Sequence, residues 1–150
     1  MENIFNGQDK DEIVGRIEQL TQSTPALWGQ MNVSQMLAHC CEGLKMTTGE
    51  IAPKRVSFPI NILGKLLKNT VLGKGEFRKN SPTAAELKIG DTPDFEKEKA
   101  RLIAEVNKLC TIGAAGIKQE VHPFFGKMTQ MEWGRLNYKH LDHHLKQFGA

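Results

Sequence analysis

Two of the chain's five histidines, His140 and His144, stand four residues apart in Tyr138-Lys139-His140-Leu141-Asp142-His143-His144. In a helix that spacing puts both imidazoles on one face. At about 100° per residue, the same face carries Trp133, Leu136 and Phe148 and opposes Asp142. His143 turns toward the side of Arg135, Lys139 and Lys146, so it is expected in solvent. A third imidazole, His39, lies one turn from Met36 and Gly43 at the border of another apolar stripe, and Gly43 removes a side chain beside it. Three neutral imidazoles drawn from two helices match a catalytic metal site, which keeps a position open, whereas structural zinc is usually closed by four ligands. A metal so held acidifies its water to a pKa of about 7, activates a thiol or polarises a carbonyl.

Other readings compete. A lone inward histidine is more often a hydrogen-bonded core residue than a ligand, and only the pairing of His140 with His144 makes His39 worth following. The zincin motif is absent, because Leu141 stands where that motif needs a glutamate base. Cys40 and Cys41 adjoin His39, and thiolates are good soft ligands. Cys40 points into the apolar stripe and Cys41 lies farther round, so both are expected to be buried and inert, as is Cys110. His122 precedes Pro123 ahead of the last helix and can approach a site mouth, but is expected as a surface loop residue. Asp142 projects away from the inward histidines, so no general base stands out and no catalytic or substrate-binding residue is assigned.

The elements that must position these rings are helical, because four segments carry a 3.6-residue apolar period and no long segment alternates as a half-buried strand would. The class is all-α. The first helix, about Lys10 to Thr21, aligns Ile13, Ile17 and Leu20 and stops before Pro25. The second opens at Asn32, which pairs with Gln35 as a capping box, and runs toward Gly49. The third starts with Thr92 as cap, Pro93 at the first helical position and Asp94 near the positive dipole end. It buries Phe95, Leu102, Ile103, Val106 and Leu109 and ends before Gly113. The fourth starts at Thr129 with Glu132 as its capping box and closes at Gly149. The forty or so residues between the second and third helices hold Pro53, Pro59 and Pro82, with one short helix expected from Ile60, Leu63, Leu66 and Leu67. A crossover of that length lets the second and third helices run parallel in a four-helix bundle occupying residues 1–150 as one domain.

Composition narrows the class of function. The 150 residues are 39% apolar, 25% charged and 7% aromatic, and the net charge of +3 fits neither an acidic tail protein nor a nucleic-acid packager. Three cysteines and the absence of a leader pattern imply a reducing compartment, the cytoplasm. The most apolar stretch, Val56 to Leu67, is interrupted by Ser57, Pro59, Asn61 and Lys65 and falls short of the roughly 20 residues that span a bilayer, so no membrane partner is expected. Residues 54–79 hold seven basic residues against one acid, while the remainder holds 13 against 16. Such a cluster can hold an anionic small molecule or nucleic acid. Only Phe58 and Phe77 accompany it as stacking groups, so a solvated crossover is expected and nucleic acid is disfavoured.

With His39 and His140-x-x-x-His144, the chain resembles the DinB/YfiT-like superfamily of metalloenzymes. The segments Trp28-Gly29-Gln30-Met31-Asn32-Val33-Ser34-Gln35-Met36-Leu37-Ala38-His39, His122-Pro123-Phe124-Phe125-Gly126-Lys127-Met128-Thr129 and Tyr138 to His144 are similar to a small branch of it known as domain of unknown function 1569. The resemblance implies a four-helix bundle with the long connection between helices two and three. It also implies His39, His140 and His144 as metal ligands and frequent homodimers; imidazole ligands suit zinc, nickel, copper and iron alike, and zinc or nickel is the metal expected here. Relatives of known activity are thiol-dependent S-transferases and an isomerase, so it further implies a low-molecular-weight thiol as cosubstrate; together with the basic crossover, the partner expected is an anionic or thiol-containing small molecule. Two functions follow as expectations: a divalent-metal-dependent transferase or hydrolase, and a noncatalytic stress or interaction protein whose histidines complete its core.

Overall fold

The computed structural model describes residues 1–52, 54–81 and 87–150, the side chain of Asn61 apart. Pro53 and Pro82 lie outside the described residues. The described chain is mostly helical, with five helices and one very small antiparallel pair: α1 (Gly7–Gln19), α2 (Val33–Thr48), α3 (Ile60–Val71), α4 (Phe95–Ile112), β1 (Val121–His122), β2 (Gly126–Lys127) and α5 (Gln130–Gln147). Val121 pairs with Lys127 and His122 with Gly126, a ladder too short to show alternation in sequence.

Local chemistry sets the helix ends. The Asn32 side chain accepts from the Gln35 backbone N–H while Gln35 accepts from that of Asn32, and Thr129 and Glu132 repeat the arrangement at α5. Gly49 ends α2 with φ of +80°, a left-handed turn that glycine adopts without a Cβ clash. Two starts differ from expectation. Helix α1 begins earlier than Lys10, because the Asn6 side chain accepts from the backbone N–H groups of Gln8 and Asp9. Helix α4 is capped by Asp94, which accepts from the Lys97 N–H; Thr92 instead accepts from the Asn32 side chain, joining the start of α2 to that of α4.

Helix α2 packs against α4 and α5, and α1 against the same two. The core they enclose includes Ile13, Ile17, Met36, Leu37, Leu44, Leu102, Val106, Trp133, Leu141 and Leu145, all essentially without exposure. Arg101 joins α4 to α2 through Glu42 and also binds Glu98 at 2.8 Å, while Arg16 joins α1 to α5 through Asp142 at 2.9 Å. The short helix expected in the crossover forms, but its apolar residues do not enter the core: Ile60, Ile62, Leu63, Leu66 and Leu67 are all exposed. Its seat is the β1–β2 hairpin, approached so closely at Gly64 that a Cβ there would lie 2.0 Å from the Phe124 carbonyl oxygen.

Candidate metal centre

The pleat-free geometry of α5 does what its sequence spacing requires. His140 and His144, one turn apart, present rings 4.7 Å centre to centre, and His39 enters from α2 with its ring 4.9 Å from the first and 4.7 Å from the second. One ring nitrogen from each lies within 4.8 Å of the other two. His39 and His144 are buried, and His140 is half-buried. The close approach of α2 to α5 depends on Gly43: a Cβ there would sit 3.0 Å from His140 Cε1 and 3.2 Å from its Nδ1. The missing side chain thus makes room for the facing helix's histidine rather than for His39 itself.

Hydrogen bonds assign the outer nitrogens. A carbonyl only accepts, so His39 Nδ1–H donates to Leu87 O at 2.8 Å and its Nε2 keeps a lone pair. His144 Nδ1–H donates to Gln147 Oε1 at 2.8 Å, and the Gln147 amide donates to Trp28 O at 2.7 Å, which orients that amide. The Nε2 atoms of His39 and His140 are 2.9 Å apart, and since the first carries a lone pair, His140 Nε2–H donates to it when no ion is bound. Anchoring the outer N–H groups on protein acceptors is how metal-ligating histidines are held in tautomer and orientation.

Electrostatics keep the rings neutral. Burial lowers the pKa of His39, and burial with the His39 ring nearby pushes that of His144 down to about 3. His140 is held well below the usual imidazole value by desolvation and by the surrounding histidines. Neutral rings have the free lone pairs that a divalent ion requires. On this chemistry the donor set fits a divalent metal: three imidazoles, two with fixed Nδ1–H tautomers, and no cation inside the cluster.

Neither Gln147 nor the Leu87 carbonyl is among the residues that the sequence singles out. Gln147 lies three residues after His144, so helical spacing contains a signal for it, whereas nothing local marks a backbone carbonyl 48 residues from His39. Gly29, with φ of +83°, brings the chain so near that a Cβ would lie 2.4 Å from Gln147 Nε2.

The neighbouring candidates separate from the cluster. Cys40 is buried with its thiol toward Met36 Sδ at 3.7 Å, and burial pushes its pKa up. Cys41 is also buried, its pKa raised to about 12 by burial, and Cys110 is half-buried with its thiol toward Phe5 O. His122 is not a surface loop residue: it belongs to β1, its ring lies 4.6 Å from Phe125 and 5.3 Å from Trp133, and its Nδ1 accepts from the backbone N–H groups of Phe124 and Phe125. Nor is His143 free in solvent. It is half-buried, 5.9 Å from both Trp28 and Phe77, on the wall of a cleft of about 820 Å³ between α5 and residues 73–79.

That cleft collects part of the basic crossover. Lys79 Nζ lies 4.2 Å from the Trp28 ring centre, and Lys74 lines the same wall. Lys139 donates to the carbonyls of Val71, Gly73 and Gly75 at 2.5, 2.7 and 2.6 Å, tying the end of the crossover to α5. The crossover is therefore not simply solvated: several of its groups are held by α5 or by the hairpin.

Comparison with protein families matches the description "Protein of unknown function (DUF1569)" over residues 4–150, and the chain belongs to that family. No curated protein and no solved structure is significantly similar to it.

Proposed function

We propose that this member of the DUF1569 family holds one divalent metal, zinc or nickel, on His39, His140 and His144, and that it is a metal-dependent transferase or hydrolase on a DinB/YfiT-like four-helix bundle. The observation that carries the reading is the convergence of three neutral imidazole nitrogens within 4.8 Å, two of them on rings oriented by outer hydrogen bonds. When bound, such an ion supplies Lewis acidity to a thiol, carbonyl or water at neutral pH. The chain's own part is orientation. Leu87 O fixes the His39 ring, Gln147 fixes that of His144, and Gly43 admits His140. Lys74 and Lys79 supply positive charge on the α5 flank that would draw an anionic or thiol-containing small molecule.

The test is metal analysis of tag-free protein after equilibration with several divalent ions and desalting. One ion per chain is expected, and His140→Gln together with His144→Leu should empty the site. Substoichiometric metal in the parent protein refutes the reading.

A second reading rests on the 2.9 Å His39–His140 hydrogen bond, which pairs the two inner Nε2 atoms without an ion. It makes the protein a noncatalytic helical module whose histidines are structural. Under it the same substitutions change the unfolding temperature while the parent protein carries no metal.

A further inference from the structure

Among the described residues, α3 is the one helix whose apolar side is open. At about 100° per residue, Ile62, Leu66, Leu63, Leu67 and Ile60 fall within one arc of about 160°, and Leu66 is 73% exposed. Phe58, immediately before the helix, is 75% exposed. The opposite arc is occupied: Gly64 presses on Phe124, and Lys68 donates to Lys127 O at 2.9 Å and pairs with Glu132 at 2.9 Å. The hairpin therefore holds the helix by its polar side and turns six large apolar side chains outward. A continuous exposed apolar patch of this kind marks an interaction surface.

Charge decides among occupants. Residues 54–79 carry a net +6, and their one acid, Glu76, is engaged by Lys146 at 2.8 Å. Exposed Arg55 and Lys74 flank the apolar arc in sequence, while Lys65 lies on the polar side with its stem against Gly126. A second copy docked face to face would set like charge against like, since a two-fold interface apposes the same patch to itself. An apolar helical face set in a cationic segment instead matches an anionic bilayer, where the apolar side chains enter the acyl boundary and the basic ones meet lipid headgroups.

We propose that α3 with Phe58 is a docking surface for anionic membrane lipid, on which the protein lies without crossing. This departs from the expectation of no membrane partner, which rested on the lack of a spanning segment; among the described residues no helix is long and apolar enough to cross, and adsorption requires none. It is independent of the metal centre.

Flotation of the full-length protein with vesicles of phosphatidylcholine containing about 30 mol % phosphatidylglycerol, at about 0.1 M salt, tests it. Binding should be at least about tenfold weaker to pure phosphatidylcholine, and Arg55→Gln should weaken it about fivefold, the value of one interfacial basic residue. Leu63→Glu with Leu66→Glu should abolish binding while leaving the circular dichroism spectrum unchanged, as both side chains are exposed. In a Phe58→Trp variant the added fluorescence should shift to the blue on vesicle addition. Failure to float with anionic vesicles overturns the proposal. So does equal binding by the double variant, or a concentration-dependent dimer in sedimentation that the double variant makes monomeric, which would assign the face to a second copy.

Discussion

Gln147→Leu separates the orientation of a ligand from its presence. The parent side chain is 3% exposed and makes two short hydrogen bonds, accepting from His144 Nδ1–H at 2.8 Å and donating to Trp28 O at 2.7 Å. Leucine fills a similar volume and makes neither. His144 keeps its place on α5 but loses the acceptor that fixes its tautomer and ring plane. Loss of such a partner lowers metal affinity about 10- to 100-fold, equivalent to roughly 1.4–2.7 kcal/mol. Two buried groups also lose partners, so the metal-free protein should lose roughly 2 kcal/mol of stability. Competition against a chromophoric chelator measures the first effect and urea unfolding of the metal-free protein the second. Gln147→Glu, which restores an acceptor for His144, should recover most of the affinity without recovering the bond to Trp28 O. If Gln147→Leu binds metal within about twofold of the parent, the orienting role assigned to the amide is wrong.

Gly43→Ala places a Cβ 3.0–3.2 Å from the His140 ring, so metal affinity should fall several-fold in the same chelator competition. Stability of the metal-free protein should change by no more than about 1 kcal/mol, the helix preference of alanine over glycine offsetting the displacement of the His140 ring. His122 has a pKa of about 4 because it is buried, below the roughly 6.5 of an unfolded chain. The unfolded chain therefore takes the proton first. Stability from this group is complete above about pH 6.5 and is lost as the pH falls toward 4, by about 3 kcal/mol in all. Protonation would also turn its Nδ1 into a donor facing the N–H groups of Phe124 and Phe125. Urea midpoints at neutral and acid pH should accordingly differ less in His122→Gln than in the parent; an equal difference would contradict the assignment. Gly134→Ala puts a Cβ 2.1 Å from Asn3 Oδ1 and 2.5 Å from the Phe5 ring, and should cost about 1–3 kcal/mol in unfolding while releasing the N-terminal segment to proteolysis.

The histidine cluster was legible because it rests on rules of short range. His140 and His144 share a face through helical spacing alone, the capping boxes at Asn32 and Thr129 involve groups three residues apart, and the apolar stripes require only the 3.6-residue period. The same rules misplaced two helix starts: Asp94 competed as a cap with Thr92, and the polar turn Gly7-Gln8-Asp9 that Asn6 caps carries none of the apolar period. They also misjudged His122 and His143. His122 stands beside a proline in a segment without helical period and His143 on the basic side of its helix, yet aromatic rings cover both: Phe125 and Trp133 over the first, Trp28 and Phe77 beside the second.

The residue types and their spacing determined the helical class, most helix boundaries and the three imidazoles able to share an ion. Tertiary packing decided which partners hold those rings and which way α3 faces. Its apolar period is as strong as that of a core helix, yet it meets a hairpin at Gly64 instead of the helices around Trp133. The division follows the range of the forces. Caps and periodicity act within one or two turns, whereas the Leu87 carbonyl, the Gln147–Trp28 bond and the open side of α3 arise only after distant segments close on one another and the larger apolar faces take the core.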